Sequence, residues 1–267
     1  MTLKAIGFDL WETLITDTPE ASRAQERLRI ARMESLLVAR GYRHEAHQLE
    51  RAYRVLWQRC HDLYWSEDRD IPCRRQIEVF LEELGVAPAD LDPATLEQLE
   101  HVYANAAVEL LPSVVPGARE LLAEVRRRGF GTGLISNTGR TPGYALREIL
   151  KRLELAPMID AMVFSNEHGQ CKPQPSIFEQ LRRHLGVAYD EMLFVGDNLY
   201  VDILGAKRCG MKAIHFIPPV RGTAVAPAVE HEEVEPDAVV SDLRDVVEAI
   251  ARFETRDSGF EKTGRGK

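Results

Sequence analysis

Short apolar runs separated by segments of helical period make up most of this chain. The first run, Ala5-Ile6-Gly7-Phe8, is mostly apolar without alternation. That is the signature of a strand buried on both faces, and such strands belong to parallel sheets covered by helices. Similar runs recur at Gly131-Thr132-Gly133-Leu134-Ile135, Ala161 to Phe164, Met192 to Val195, Lys212 to Phe216 and Ala238 to Val240. Helical patterns fall between them: Ala118 to Arg128, Pro142 to Leu153, Pro175 to Leu185, Val201 to Cys209 and Leu243 to Phe253. This alternation with short connections predicts an α/β fold built on a doubly wound parallel sheet.

The alternation is interrupted once. After Leu14 the pattern reads as helices only: Pro19 to Arg40 ended by Gly41, Glu45 to Tyr64, Arg74 to Leu84 ended by Gly85, and Pro93 to Leu111 with Asp92 as N-cap. Pro112 and Pro116-Gly117 mark the return to the sheet. The predicted organisation is therefore an α/β core of residues 1–15 and 113–253, an inserted all-helical cap of residues 16–112, and a polar tail of residues 254–267 expected to be disordered. Residues Pro218 to Pro236 read as a loop. An insertion directly after the first strand lies over the carboxyl edge of the sheet, where it acts as a cap.

Charge and composition remove several function classes. A formal charge of -8 leaves no basic footprint for nucleic acid. No apolar run is long enough to span a bilayer, and the N-terminus enters a strand almost at once, so a soluble cytoplasmic protein with a small-molecule partner is expected. Oligomeric state is left open. Cys60, Cys73, Cys171 and Cys209 are scattered without a CxxC pair, which argues against a zinc site or a disulfide framework. Gly129 to Gly133 precedes a strand and does not open a helix, so it reads as a turn and not as a nucleotide loop. His44 and His47 read as a solvated face, and Trp57, Tyr64 and Trp65 as packing within the helical module.

The candidate chemistry lies at the ends of three strands. In open α/β sheets, ligands bind outside the carboxyl ends of the strands. The first strand ends in Asp9, the second in Ser136-Asn137 and a third in Gly196-Asp197; Gln170-Cys171-Lys172-Pro173 brings an ammonium to the same edge. Each residue alone reads as a cap or a surface lysine. Their joint occurrence in this order is far more specific.

With Asp9 and Thr13, Ser136, Lys172-Pro173, and Gly196-Asp197 with Asp202, the chain resembles the haloacid dehalogenase-like hydrolase superfamily over almost its whole length. The resemblance implies a Rossmann-like core with a helical cap that supplies specificity. It implies Asp9 as nucleophile, Ser136, Asn137 and Lys172 at the transferring group, and Mg2+ held by Asp9, the Trp11 carbonyl, Asp197 and Asp202. Several carboxylates against one lysine also call for a divalent cation on electrostatic grounds. The reaction implied is hydrolysis of a small phosphorylated, anionic substrate.

One position departs from the pattern. Phosphatases of this superfamily carry a second Asp two residues after the nucleophile as acid and base; here that residue is Trp11, and an indole does neither. Glu12 stands where the family often has Gly, and its position turns it away from the reacting centre. Two alternatives follow: a 2-haloacid dehalogenase-type hydrolase in which Asp9 displaces halide, and a catalytically weakened domain that binds a ligand or partner.

Overall fold

The computed structural model describes residues 2–219 and 234–258. Its strands are β1 (Ala5–Phe8), β2 (Ile15–Thr16), β3 (Ser113–Val114), β4 (Gly131–Ser136), β5 (Ala161–Phe164), β6 (Met192–Gly196), β7 (Lys212–Phe216) and β8 (Ala238–Val240). Six of them form one parallel sheet in the order β5-β4-β1-β6-β7-β8. All four residues of β1 are buried, as a central strand covered on both faces requires.

The helices of the sheet layers are α6 (Ala118–Arg127), α7 (Gly143–Arg152), α8 (Ser165–His168), α9 (Pro175–Leu185), α10 (Gly205–Arg208) and α11 (Val246–Ser258). One face of the sheet packs Phe8, Leu134 and Val195 against Leu122, Leu146 and Ile250, and the other packs Ile135 and Phe194 against Phe178 and Leu181. The approach is close: a Cβ on Gly133 would stand 2.7 Å from Leu181 Cδ1, and one on Gly7 2.7 Å from Phe194. Glycine in these strands therefore admits α9 and an aromatic ring rather than loosening the backbone.

Before the sheet resumes come α1 (Pro19–Ala39), α2 (Ala46–Leu63), α3 (Cys73–Glu83), α4 (Pro93–Ala104) and α5 (Ala106–Glu109). The first four enclose an apolar cluster of their own that includes Leu37, Tyr53, Leu56, Phe80, Leu99 and Tyr103. Thr18 accepts a hydrogen bond from Ala21 N at the start of α1, and Asp92 one from Thr95 N at the start of α4, so side chains supply both N-caps. Tyr64 and Trp65 pack against this cluster.

Several elements differ from the pattern reading. The helix expected over Pro93 to Leu111 breaks at Asn105, whose Nδ2 donates back to the His101 carbonyl at 2.8 Å and competes with the helical ladder. The helix expected from Val201 opens as a π-helical turn over Leu199–Leu204, capped by Asn198, which accepts from the Tyr200 and Val201 amides. The antiparallel pair β2 and β3 joins the two crossings between sheet and helices; at two residues per strand it leaves no periodicity to read. The final helix runs to Ser258 instead of ending at Phe253, because no helix breaker occurs before Gly259. The rest of the expected tail, 259–267, and 220–233 of the expected loop lie outside the described residues.

Gly133→Val should lower the stability of the folded chain by roughly 1–3 kcal/mol by forcing α9 off the sheet. Denaturant titration checks this, and an unchanged midpoint would mean that Leu181 yields without cost.

Candidate active site

The chain leaves β1 for β4 and β5 on one side and later returns to build β6, β7 and β8 on the other. The strand order therefore reverses around β1, and the crevice at such a reversal lies where Asp9, Asn137 and Asp197 follow their strands. Lys172 joins them from the segment after α8. Asn137 fixes it with two bonds: its Oδ1 accepts from Lys172 N at 2.8 Å and its Nδ2 donates to Lys172 O at 3.1 Å. The Lys172 ammonium is 1% exposed. It donates to Asp9 Oδ1, to Asp202 Oδ1 at 2.7 Å and to the Ile135 carbonyl at 3.1 Å, which uses all three of its protons.

Asp202 is held from the other side as well. Its Oδ2 accepts from Asn198 N at 3.0 Å, and a Cβ on Gly196 would stand 2.4 Å from its Cγ. Gly196 is thus the residue that lets Asp202 reach Lys172. The Asp197 carbonyl meets His215 Nε2 at 2.9 Å, while the Asp197 carboxylate has no hydrogen-bond donor among the described residues.

Asp9, Asp197 and Asp202 each offer a carboxylate oxygen within 4.8 Å of the others. One ammonium faces three carboxylates. Burial pushes the Asp9 carboxyl up to about 7, with Lys172 opposing the shift and Asp202 adding to it. Burial, then Asp9 and Asp202, push Asp197 up to about 8. Burial works against the charge of Lys172, but Asp202 and Asp9 outweigh it and hold the ammonium protonated. A hard oxygen donor set with unneutralised negative charge fits a divalent cation that prefers carboxylates.

These groups open into a cavity of about 490 Å3, large enough for a small metabolite. Trp11 lines it, so the residue in the place of the family's acid does face the site. Ser136 does not line it; this fully buried residue directs Oγ to the Asn137 carbonyl at 3.4 Å, while Asn137 reaches the cavity. Thr13 is fully buried and does not line the cavity.

Glu12, which its position in sequence turned away, lines the same cavity. It adopts a left-handed conformation with φ of 61°, which re-aims its side chain, and its Oε2 accepts from Thr16 Oγ1 at 2.8 Å. Trp57 also lines the cavity instead of filling the helical interior; it is 38% exposed and lies beside Trp65 at 4.5 Å between ring centroids.

Sequence reasoning passed over Asp17, Arg29 and Arg140, all of which line the cavity. Asp17 accepts from Gln25 Nε2 at 3.1 Å, and burial pushes it up to about 6. Arg29 donates to the Tyr103 carbonyl at 2.9 Å and to Thr141 Oγ1 at 3.3 Å. No local motif distinguishes these residues from the many other charges of the chain; Arg29 is marked only by its burial at 4%. Cys171, beside Lys172, is buried with its thiol pushed far up, chiefly by burial, and is no nucleophile.

A family model for haloacid dehalogenase-like hydrolases matches residues 3–210. The chain belongs to this family. It is 34% identical over 150 residues to a glyceraldehyde 3-phosphate phosphatase of Pyrococcus furiosus, an alignment covering 56% of this chain and 60% of that protein. A glyceraldehyde 3-phosphate phosphatase of Methanopyrus kandleri is 27% identical over 255 residues, 94% of this chain and 99% of the other. Among solved structures, a 2-haloacid dehalogenase from Pseudomonas syringae shares the fold with a TM-score of 0.63 and 24% identity, covering 94% of this chain and all of that one.

The raised carboxyls set a pH dependence. Asp9 and Asp197 are tolerated in the fold while protonated, so their contribution to stability is full below the ordinary carboxylate range and is lost as pH rises through about 7 and about 8. In chelator, the melting temperature should therefore fall by several degrees between pH 5 and 8.5. Asp197→Asn should flatten that slope, and an equal slope in both proteins would contradict the assignment of charge.

Proposed function

We propose that this chain is a Mg2+-dependent phosphatase that acts on a small phosphorylated metabolite through an aspartyl-phosphate on Asp9. The observation that carries this reading is the contact of Asp9 with Lys172 beside Asp197 and Asp202, an arrangement short of positive charge. The names of the two archaeal relatives support phosphoryl chemistry. Residues 16–112 take the role of cap and residues 1–15 and 113–253 that of core.

In this reading an Asp9 carboxylate oxygen attacks phosphorus in line, the ester oxygen departs, and water later attacks the same phosphorus and restores Asp9. Lys172 aims Asp9 and opposes its protonation, and Asn137 fixes Lys172. Asn137 and the adjacent backbone take the contact with the transferring group, since Ser136 lies behind the cavity wall. Asp9, Asp197, Asp202 and the Trp11 carbonyl would hold Mg2+, which when bound neutralises phosphoryl oxygens and orients the substrate. Trp11 supplies no proton to the departing oxygen. The absence of a positioned acid costs about two to four powers of ten in rate, so esters that need little proton donation are favoured.

Phosphate release should be abolished by chelator and by Asp9→Asn, and should be faster for acyl and aryl phosphates than for alkyl phosphates. Trp11→Asp should raise alkyl phosphate turnover at least about tenfold. Halide release from 2-chloropropionate that survives chelator, or phosphate release that survives Asp9→Asn, would overturn the proposal.

A further inference from the structure

One arginine that lines the same cavity as Asp9 has no hydrogen-bond partner among the described residues. Arg140 follows β4 by four residues, and its guanidinium carbon lies 4.1 Å from the Trp57 ring centroid and 4.7 Å from that of Tyr53. Both rings belong to α2, one turn apart, so the helix offers a two-ring platform. Gly139, with φ of 56°, brings the backbone against Trp57, where a Cβ would already lie 3.5 Å from the ring. Gln76 Nε2 donates to the Gly139 carbonyl at 2.9 Å and is itself fixed by Tyr103 Oη at 2.8 Å. The loop that presents Arg140 is thus tied to α2, α3 and α4, and Arg29 of α1 secures Thr141 beyond it.

The guanidinium itself remains uncommitted. Among the described residues Arg140 makes no ion pair and donates no hydrogen bond, and its Nε is a buried donor without an acceptor. Stacking on an aromatic face leaves the in-plane N–H groups of arginine directed outward, in the fork that matches a carboxylate or phosphate. Asp17 and Glu12 line the same cavity. Asp17 is occupied by Gln25 and lies in the field of Arg29, and among the described residues no ion pair joins it to Arg140.

We propose that Arg140, on its Trp57 platform, is a specificity residue that receives a second anionic group of the substrate, at the end remote from the phosphoryl group bound at Asp9. The substrate class is a small phosphomonoester that also carries a carboxylate or a second phosphate. This rests on the phosphatase reading for the site of hydrolysis, but the subsite can be measured without turnover.

The test compares 3-phosphoglycerate with glyceraldehyde 3-phosphate, which differ by a carboxylate in place of an aldehyde. Wild-type protein with Mg2+ should hydrolyse the acid at least about tenfold more efficiently, the equivalent of one charged contact at about 1.4 kcal/mol. Arg140→Gln should erase this preference through KM, with kcat and the rate on the aldehyde little changed, and Arg140→Lys should restore part of it. Calorimetric titration of the same two esters in chelator reads binding alone. If neither ester is hydrolysed yet the acid binds more tightly in an Arg140-dependent manner, the phosphatase reading fails and the subsite stands. Equal binding of the two esters by the wild type, or a preference that persists in a folded Arg140→Gln protein, overturns the subsite.

Discussion

A single buried ammonium governs this structure. Lys172 spends its three protons on Asp9, Asp202 and the Ile135 carbonyl, and through them joins β1, β4 and the turn after β6. Removing such a charge would leave two buried carboxylates uncompensated, a far larger penalty than the loss of a surface pair. The arrangement also explains neighbouring choices: glycine at 196 because Asp202 occupies the space of a Cβ, and asparagine at 137 because its amide can clamp both backbone polar groups of Lys172. The same ammonium does not reach Asp197, which among the described residues has no donor and is the carboxylate of the three most available for a cation.

How much of this could be read from the chain depended on periodicity and register. The sheet was legible because six short apolar runs separated by helical segments read as buried strands, and the strand ends then named Asp9, Ser136-Asn137 and Asp197. Lys172 was legible only through its order relative to the others, since no local pattern separates a buried lysine from a solvated one. Glu12 was misjudged because counting residues from Asp9 assumes ordinary backbone, whereas its left-handed conformation returns the side chain to the cavity. Trp57 was misjudged for another reason: helical spacing identifies the face it occupies but not the loop that lies against that face. Arg140 lies in that loop, and its partner rings are far away in sequence.

The two walls of the cavity are constructed on opposite principles. Around Asp9 the side chains are paired to one another and held by strand ends, so geometry is set before any ligand arrives. Elsewhere on the cavity wall, Arg140 is held by aromatic faces and by a loop tied to helices, and it donates no hydrogen bond among the described residues. Groups fixed by strand ends on one part of the wall and a guanidinium held against helix rings on another form a division in which the surroundings of Arg140 can change without disturbing Asp9.

The helical module is also bonded to the sheet at a particular place. The Asp70 amide donates to the Gly169 carbonyl and the Cys171 amide to the Asp68 carbonyl, while Asp70 Oδ2 accepts from Thr138 Oγ1 at 3.0 Å and from Ser165 Oγ. These contacts end one residue before Lys172. Swinging the helices aside would therefore have to unzip a short backbone ladder adjoining the ammonium, so displacement of the helices and the alignment of Asp9 are mechanically linked, and a chain with its helices displaced would also have a slackened Asp9.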